Sequence, residues 1–323
     1  MAERPYDRLD GVIWYDGKLV PWGDATLHVL SHGLHYASSV FEGERAYETP
    51  RGVAIFRLRD HTRRLFDSAK IYRIAMPYSP EQINDACRQV IAANGLKRGA
   101  YLRPVVFKGY GEIGVSPKND PPTDVAVAAW EWGRYLGHES EASGVDVCVS
   151  SWQRMAPNTL PALAKAAGNY LSSQLIAAEA RRLGFAEGIG LTTEGTLSEG
   201  SGENLFLVKD GVLLTPALAH SVLGGLTRDA VIRLARERGI EVREMSIPRE
   251  LIYLADEAFF TGTAVEITAI RSVDRIQIGA GKAGPITESL QNAFYGLFSG
   301  KTADKWGWLD YVDMSAPRVA ASG

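Results

Sequence analysis

Three short turns constrain this chain more than any other feature. Asp16-Gly17, Glu194-Gly195 and Asp210-Gly211 each set an acidic residue and a glycine between extended, largely apolar runs. Two-residue hairpin turns need positive φ, and these pairs tolerate it. Antiparallel neighbours are therefore imposed at three places, and a sheet built wholly from parallel crossovers is excluded. Residues 12–15 and 18–20 flank the first turn. Around the other two the sequence predicts a meander of strands at 188–192, 196–199, 204–209 and 212–215. Further strands are predicted at 53–57, 101–108, 124–130, 145–151, 258–261 and 266–273.

Helices are predicted at 60–73, 80–94, 170–183 and 227–238. The second has the clearest start: Ser79 as cap, Pro80 at the first helical position and Gln82 two residues later. Its apolar positions Ile83, Cys87, Val90 and Ile91 recur at helical spacing, and Gly95 stands past its end. Thr227 is expected to cap the fourth, which Gly239 closes. The 323 residues suit two domains. A polar, glycine-bounded stretch at 137–144 is expected as linker, between a smaller N-terminal domain (1–136) and a larger C-terminal one (145–312). Residues 313–323 read as a loose tail.

Composition excludes several classes. At 46% hydrophobic and 23% charged, the chain is ordinary globular material. A formal net charge of -3 offers no basic field for nucleic acid. No apolar run approaches the roughly 18 residues of a membrane helix. Met1–Asp7 is charged at once, which predicts no secretory leader. Two cysteines, Cys87 and Cys148, cannot build a disulfide framework, and a reducing cytoplasm is expected.

Several motifs suggest chemistry. Gly109-Tyr110-Gly111-Glu112-Ile113-Gly114 matches a dinucleotide-binding pattern, but a proline-rich stretch follows where a helix must begin, so a flexible loop is expected instead. His28, His32 and His35 could share a helical face, yet no carboxylate completes a metal shell, and no metal is expected. Leu223-Gly224-Gly225-Leu226-Thr227 lets backbone approach a ligand just where a helix starts, an anion cradle. Thr261-Gly262-Thr263-Ala264 is a second glycine-hinged turn. Lys165 stands among alanines and glycine, where burial would turn its amine into a Schiff-base nucleophile. Glu199 lies beside glycines at a strand end. Each alone has a bland reading: an exposed lysine, a helix cap, a surface acid. Together they are an amine nucleophile, a phosphate cradle and a carboxylate, the parts of a pyridoxal-phosphate enzyme.

The motifs Leu30-Ser31-His32-Gly33-Leu34-His35-Tyr36, Val40-Phe41-Glu42-Gly43, Tyr101-Leu102-Arg103-Pro104, Ala164-Lys165-Ala166-Ala167-Gly168-Asn169-Tyr170 and Ser198-Glu199-Gly200-Ser201-Gly202-Glu203-Asn204 go further. With Asp304-Lys305-Trp306-Gly307-Trp308 they span nearly the whole chain. In them the chain resembles the bacterial branched-chain amino-acid aminotransferases of fold type IV. The resemblance implies a mixed α/β and α+β fold, with a small α/β domain and a larger domain built on a β-barrel-like core. It implies transfer of the amino group of leucine, isoleucine or valine to 2-oxoglutarate by a ping-pong mechanism on pyridoxal 5'-phosphate.

Lys165 would then bind the cofactor as a Schiff base and shuttle the proton. Glu199 would pair with its ring nitrogen and Tyr170 with its phenolic oxygen, while Leu223 packs on the ring. Arg64, Leu226, Thr227 and Thr263 would hold the phosphate. Thr263, Ala264 and Tyr101 would hold the substrate α-carboxylate, and Arg103 the γ-carboxylate of glutamate. Phe41, Gly43, Tyr36, Val115, Trp132 and Tyr135 would line the side-chain pocket. Tyr36 and Val115 would come from a neighbouring subunit, so at least a homodimer is expected. Rival expectations are a D-amino-acid or (R)-amine transaminase and an aminodeoxychorismate-type lyase. Glu44 stands where an apolar residue is expected, and is read as pointing outward to Arg45.

Overall fold

The computed structural model describes residues 9–132 and 144–315. The chain divides into two compact units: Met1–Trp132 with Ala164–Gly168 and Asp304–Gly323, and Gly133–Leu163 with Asn169–Ala303. This is not the contiguous division expected from the sequence. Ala166 bridges to Val40, and Leu309–Tyr311 joins the first unit's sheet against Gly52–Phe56, so both segments group with that unit. Most of the expected linker 137–144, Tyr135, and residues 316–323 of the expected tail lie outside the described residues.

The first unit is a sheet of eight described strands. Its order is Leu309–Tyr311, Gly52–Phe56, Glu44–Thr49, Ala100–Lys108, Thr123–Trp130, Val12–Tyr15, Lys18–Pro21, with Ser39–Phe41 also paired to Ala100–Lys108. The expected Asp16-Gly17 hairpin is present, with φ of 43° and 86°. Helices Leu58–Ile71 and Pro80–Ala93 supply the core against this sheet. Leu65, Ile83, Cys87, Val90 and Ile91 are buried with Val40, Leu102, Val106 and Val125. Both halves of the Ser79–Gln82 capping box form.

The second unit is a sheet of nine described strands. The order runs Leu197–Gly200, Glu187–Leu191, Val145–Gln153, Glu266–Val273, Glu257–Gly262, Asn204–Lys209, Val212–Pro216, Val242–Met245, with Ile276–Gln277 paired to Glu266–Val273. One added pairing, Glu199 against Asn204, joins the first strand to the sixth and closes a six-stranded barrel. Val147, Ile189, Leu197, Leu205, Phe260 and Ile270 fill its core. Thr227 is not the cap: helix Leu226–Glu237 begins one residue earlier, on Gly225, without a side-chain cap. Several elements escaped the sequence reading: in the first unit strands Ser39–Phe41, Glu44–Thr49 and Leu309–Tyr311, and in the second, besides Ile276–Gln277, the two that follow. Strand Val242–Met245 lies parallel to Val212–Pro216. Helix Pro285–Ser299 is capped by Glu257, a strand residue whose carboxylate accepts the Ile286 and Thr287 N–H groups at 3.0 and 2.7 Å. No helix among the described residues is long and apolar enough to cross a membrane.

Glu44 corrects its expectation. It is fully buried rather than turned outward to Arg45. Cys87 Sγ approaches its Oε1 at 4.0 Å, and its Oε2 has no partner among the described residues. Burial, and next the Glu42 charge, push its carboxyl well above the ordinary range. The proton on Glu44 stabilises the native state fully below the unfolded glutamate value of about 4.3. That contribution is lost as pH rises toward the raised folded value. Glu44→Gln removes the titration, so its stability relative to the parent should climb with pH, by on the order of 1 kcal/mol at mildly alkaline pH. Denaturant unfolding of both proteins across a pH series measures it. A pH-independent difference would show that Glu44 does not titrate in this range.

Candidate active site

In the first unit, side chains two apart on a strand share a face. Strand Ala100–Lys108 therefore presents Tyr101 and Arg103 together, and Arg103 Nη2 donates to Tyr101 Oη at 3.0 Å. Trp132 stands edge-on to the Tyr101 ring, with centroids 4.5 Å apart. Two basic side chains lie against the ring of Phe41: Arg103 Cζ at 4.7 Å and Lys165 Nζ at 5.0 Å from its centroid. Gly43 is required here, because a Cβ would overlap the Tyr101 hydroxyl. The Lys165 backbone is fixed from both sides. Its N–H donates to Ser68 Oγ, and its carbonyl accepts the Phe41 N–H, each at 3.0 Å. Arg103 Nε is a buried donor with no partner among the described residues, which suits an incoming carboxylate.

Arg64 lies one turn before Ser68 on the same helix. A partner that sequence reading missed holds it. Glu42, fully buried, accepts Arg64 Nε and Nη2 at 2.7 Å each, a two-pronged clamp. His61 Nδ1 adds a third contact to Glu42 at 2.7 Å. An ionised carboxylate only accepts, so Nδ1 carries the hydrogen. Burial would raise the Glu42 pKa, but Arg64 and then His61 outweigh it and hold the carboxyl well below its usual range. Burial, working against Glu42, lowers His61 and keeps its ring neutral. Glu42 carries no local sequence signal, since the clamp joins a strand end to a helix 22 residues away.

In the second unit, Glu199, Asn204 and Thr261 lie in register across three strands. Glu199 Oε2 accepts Asn204 Nδ2 and the Leu223 N–H, both at 3.0 Å. Its Oε1 accepts Arg154 Nη2 at 2.6 Å. Arg154 Nη1 also reaches Ser173 Oγ at 3.1 Å, on the helix that Tyr170 opens. Residues 223–225 then run straight from this carboxylate to the N-terminus of Leu226–Glu237. Gly225 is needed there, since a Cβ would strike Asn204 Oδ1. Thr263 and Ala264 occupy the turn after Glu257–Gly262, next to Thr261, whose buried hydroxyl has no partner among the described residues. Arg154 and Asn204 were not foreseen.

Two expected residues do not join either cluster. Tyr36 is exposed and Val115 is 88% exposed, as are Val29, Leu34, Tyr110 and Ile113 on the same two segments. The three histidines nearby have assigned contacts. His32 binds Ser38 Oγ and the Gly114 carbonyl, His35 the Val29 carbonyl, and His28 stacks on Tyr110. The loop 109–114 packs against this segment, with Gly109 O accepting the His32 N–H at 2.9 Å.

The donor set of the second unit fits a phosphorylated pyridine: a carboxylate for a ring N–H, and a helix N-terminus for a phosphate, joined by a short glycine-rich segment. Comparisons agree. Residues 39–273 match the family model for class IV aminotransferases. The branched-chain-amino-acid aminotransferase of Escherichia coli K12 is 56% identical over 301 residues, which cover 93% of this chain and 97% of that protein. A crystal structure of the E. coli enzyme superposes with a TM-score of 0.93 at 55% identity, covering 94% of this chain and all of that one. The crystal structure of the Thermobaculum terrenum branched-chain amino acid aminotransferase in its PLP form gives a TM-score of 0.86 at 34% identity, covering 93% of this chain and 97% of that one.

Proposed function

This chain belongs to the class IV aminotransferases, and we propose that it moves the amino group of L-leucine, L-isoleucine or L-valine to 2-oxoglutarate with pyridoxal 5'-phosphate as cofactor. The observation that carries the reading is the Phe41 ring with the Lys165 amine and the Arg103 guanidinium against it. A nucleophilic amine, an apolar wall and a carboxylate receptor stand within one cluster, which is what a pocket serving both leucine and glutamate requires. The cofactor supplies an electron-withdrawing ring that makes the bond to the substrate α-hydrogen acidic.

The chain's residues do the rest. Lys165 Nζ would bind the cofactor and, once released from it, would carry the proton between the substrate α-carbon and the cofactor's C4′. Glu199 would accept the ring N–H. Arg64, kept in place by Glu42, would bind phosphate, as would the first amides of Leu226–Glu237 with Thr263. Tyr170 would donate to the phenolic oxygen and Leu223 would pack on the ring. Thr263, Ala264 and Tyr101 would hold the α-carboxylate. Phe41, Gly43 and Trp132 would wall the pocket against water.

Val29, Leu34, Tyr36, Tyr110, Ile113 and Val115 are exposed apolar side chains on two segments joined by the His32–Gly114 and Ser31–Tyr110 contacts, and apolar residues exposed together in this way mark an interaction surface. We assign it to a second copy of the chain, which would receive Tyr36 and Val115 into its substrate pocket. We place the enzyme in the cytoplasm, a reading supported by two buried, free cysteines.

Three outcomes test these assignments. Borohydride reduction of the loaded enzyme should mark Lys165 on peptide mapping, and Lys165→Ala should lose both label and turnover; a label on another lysine defeats the assignment. Arg103→Ala should weaken the 2-oxoglutarate half-reaction roughly ten- to hundredfold, the worth of a charged hydrogen bond. The leucine half-reaction should change much less, and single-turnover spectroscopy separates the two. Equal losses would shift the reading toward D-amino acids or (R)-amines. Val115→Glu should lower the sedimentation mass to that of one chain; an unchanged mass would place the subunit contact elsewhere.

A further inference from the structure

Several features of the second unit converge on Arg154. Its side chain is only 5% exposed, against 7% for its partner Glu199. Both ends are fixed: the backbone N–H donates to the Leu191 carbonyl at 2.8 Å, and the guanidinium to Glu199 and Ser173. The neighbouring strand is cut away to admit it, since a Cβ on Gly190 would lie 3.0 Å from both Arg154 Cγ and Cδ. Its Nε is buried with no partner among the described residues. Burying a guanidinium and a carboxylate, and leaving one donor unmet, is a poor route to stability. An apolar pair of similar volume would commonly hold the fold as well. The arrangement calls for a role in charge.

We propose that Arg154 is a positioning residue that acts through Glu199 to place a proton. It keeps the proton shared by that carboxylate and the cofactor's ring nitrogen on the nitrogen. The inference rests on the pyridoxal-phosphate reading above. A buried carboxylate without a cation is driven toward its neutral form. A neutral Glu199 would donate to the ring nitrogen instead of accepting from it, and the ring would lose its positive charge. Arg154 touches Oε1 directly and lies nearer to the carboxylate than to any group beyond it. Its field therefore favours the carboxylate anion more than it opposes a cation on the far side. Asn204 and the Leu223 N–H act in the same direction on Oε2. The acids on adjoining turns have other donors: Glu203 Oε2 accepts the Gly202 N–H at 3.0 Å, and Glu187 accepts the Gly188 N–H at 2.6 Å and Ser201 Oγ at 2.9 Å. One proton changes place between Glu199 Oε and the ring nitrogen, and no other bond is altered.

The test follows that proton. The full chain is prepared with 13C-labelled glutamate carboxyls, and the Glu199 signal is identified by its loss in Glu199→Gln. Without added pyridoxal phosphate, Arg154→Gln should raise the Glu199 titration by at least about one pH unit, tenfold in proton affinity. With ring-15N-labelled pyridoxal phosphate bound, the nitrogen signal should move from the protonated toward the unprotonated position. Arg154→Lys, which keeps the charge, should restore most of both signals. Gly190→Ala, which crowds Arg154 without removing it, should shift both partway and covers the case in which Arg154→Gln does not fold. A Glu199 titration and ring-nitrogen signal unchanged in Arg154→Gln, or in Gly190→Ala where only that variant folds, would overturn the inference. A wild-type chain that takes up no pyridoxal phosphate would instead defeat the cofactor reading, and the carboxyl titration would still decide what Arg154 does to Glu199.

Discussion

The closing pair of the barrel, Glu199 against Asn204, is the interaction on which the second unit depends. It turns an open sheet into a ring, which removes two exposed edges, and it is also where the proposed chemistry is built. The Asn204 side chain returns across the same pair to Glu199 at 3.0 Å and also donates to the Leu223 carbonyl at 2.9 Å. One side chain therefore ties the barrel seam, the carboxylate and the approach to the helix N-terminus together. The hairpin between the two strands is short, with the Gly200 N–H donating to the Glu203 carbonyl at 2.7 Å. No slack remains at the seam to let the carboxylate drift.

The first unit solves a different electrostatic problem. Two acids stand two residues apart on adjoining segments, and the fold treats them oppositely. Glu42 meets a guanidinium fork and a neutral imidazole and stays charged. Glu44 has the Cys87 thiol against Oε1 and no partner for Oε2 among the described residues, and burial with the Glu42 charge pushes it toward its neutral form. Burial alone would neutralise both, so the difference lies in what helix Leu58–Ile71 delivers to each. That helix presents His61 and Arg64 to Glu42, while helix Pro80–Ala93 offers Glu44 only Cys87. The result fixes Arg64 in orientation before any ligand arrives, which would lower the ordering cost of the phosphate contact proposed for it.

The sequence by itself determined the local parts, because their causes lie within a few residues. The turn at Asp16-Gly17, the capping box at Ser79 and Gln82, and the strand pattern of 204–209 need only neighbours to form. Motif likeness extended that reach to Lys165, Arg64 and Glu199 as candidates. Tertiary structure alone decided what those candidates touch. Arg64 is set by Glu42 from 22 residues away, Glu199 by Arg154 from 45, and helix Pro285–Ser299 is capped by Glu257 from a strand. It also buried Glu44, which a reading of Gly43-Glu44-Arg45 had turned outward, and it moved residues 164–168 into the unit of the first strands. Hydrogen bonds and ion pairs act over about 3 Å of space. Local sequence carries that geometry only within a turn of helix or a hairpin, and beyond it the closure of the sheets decides which charges meet.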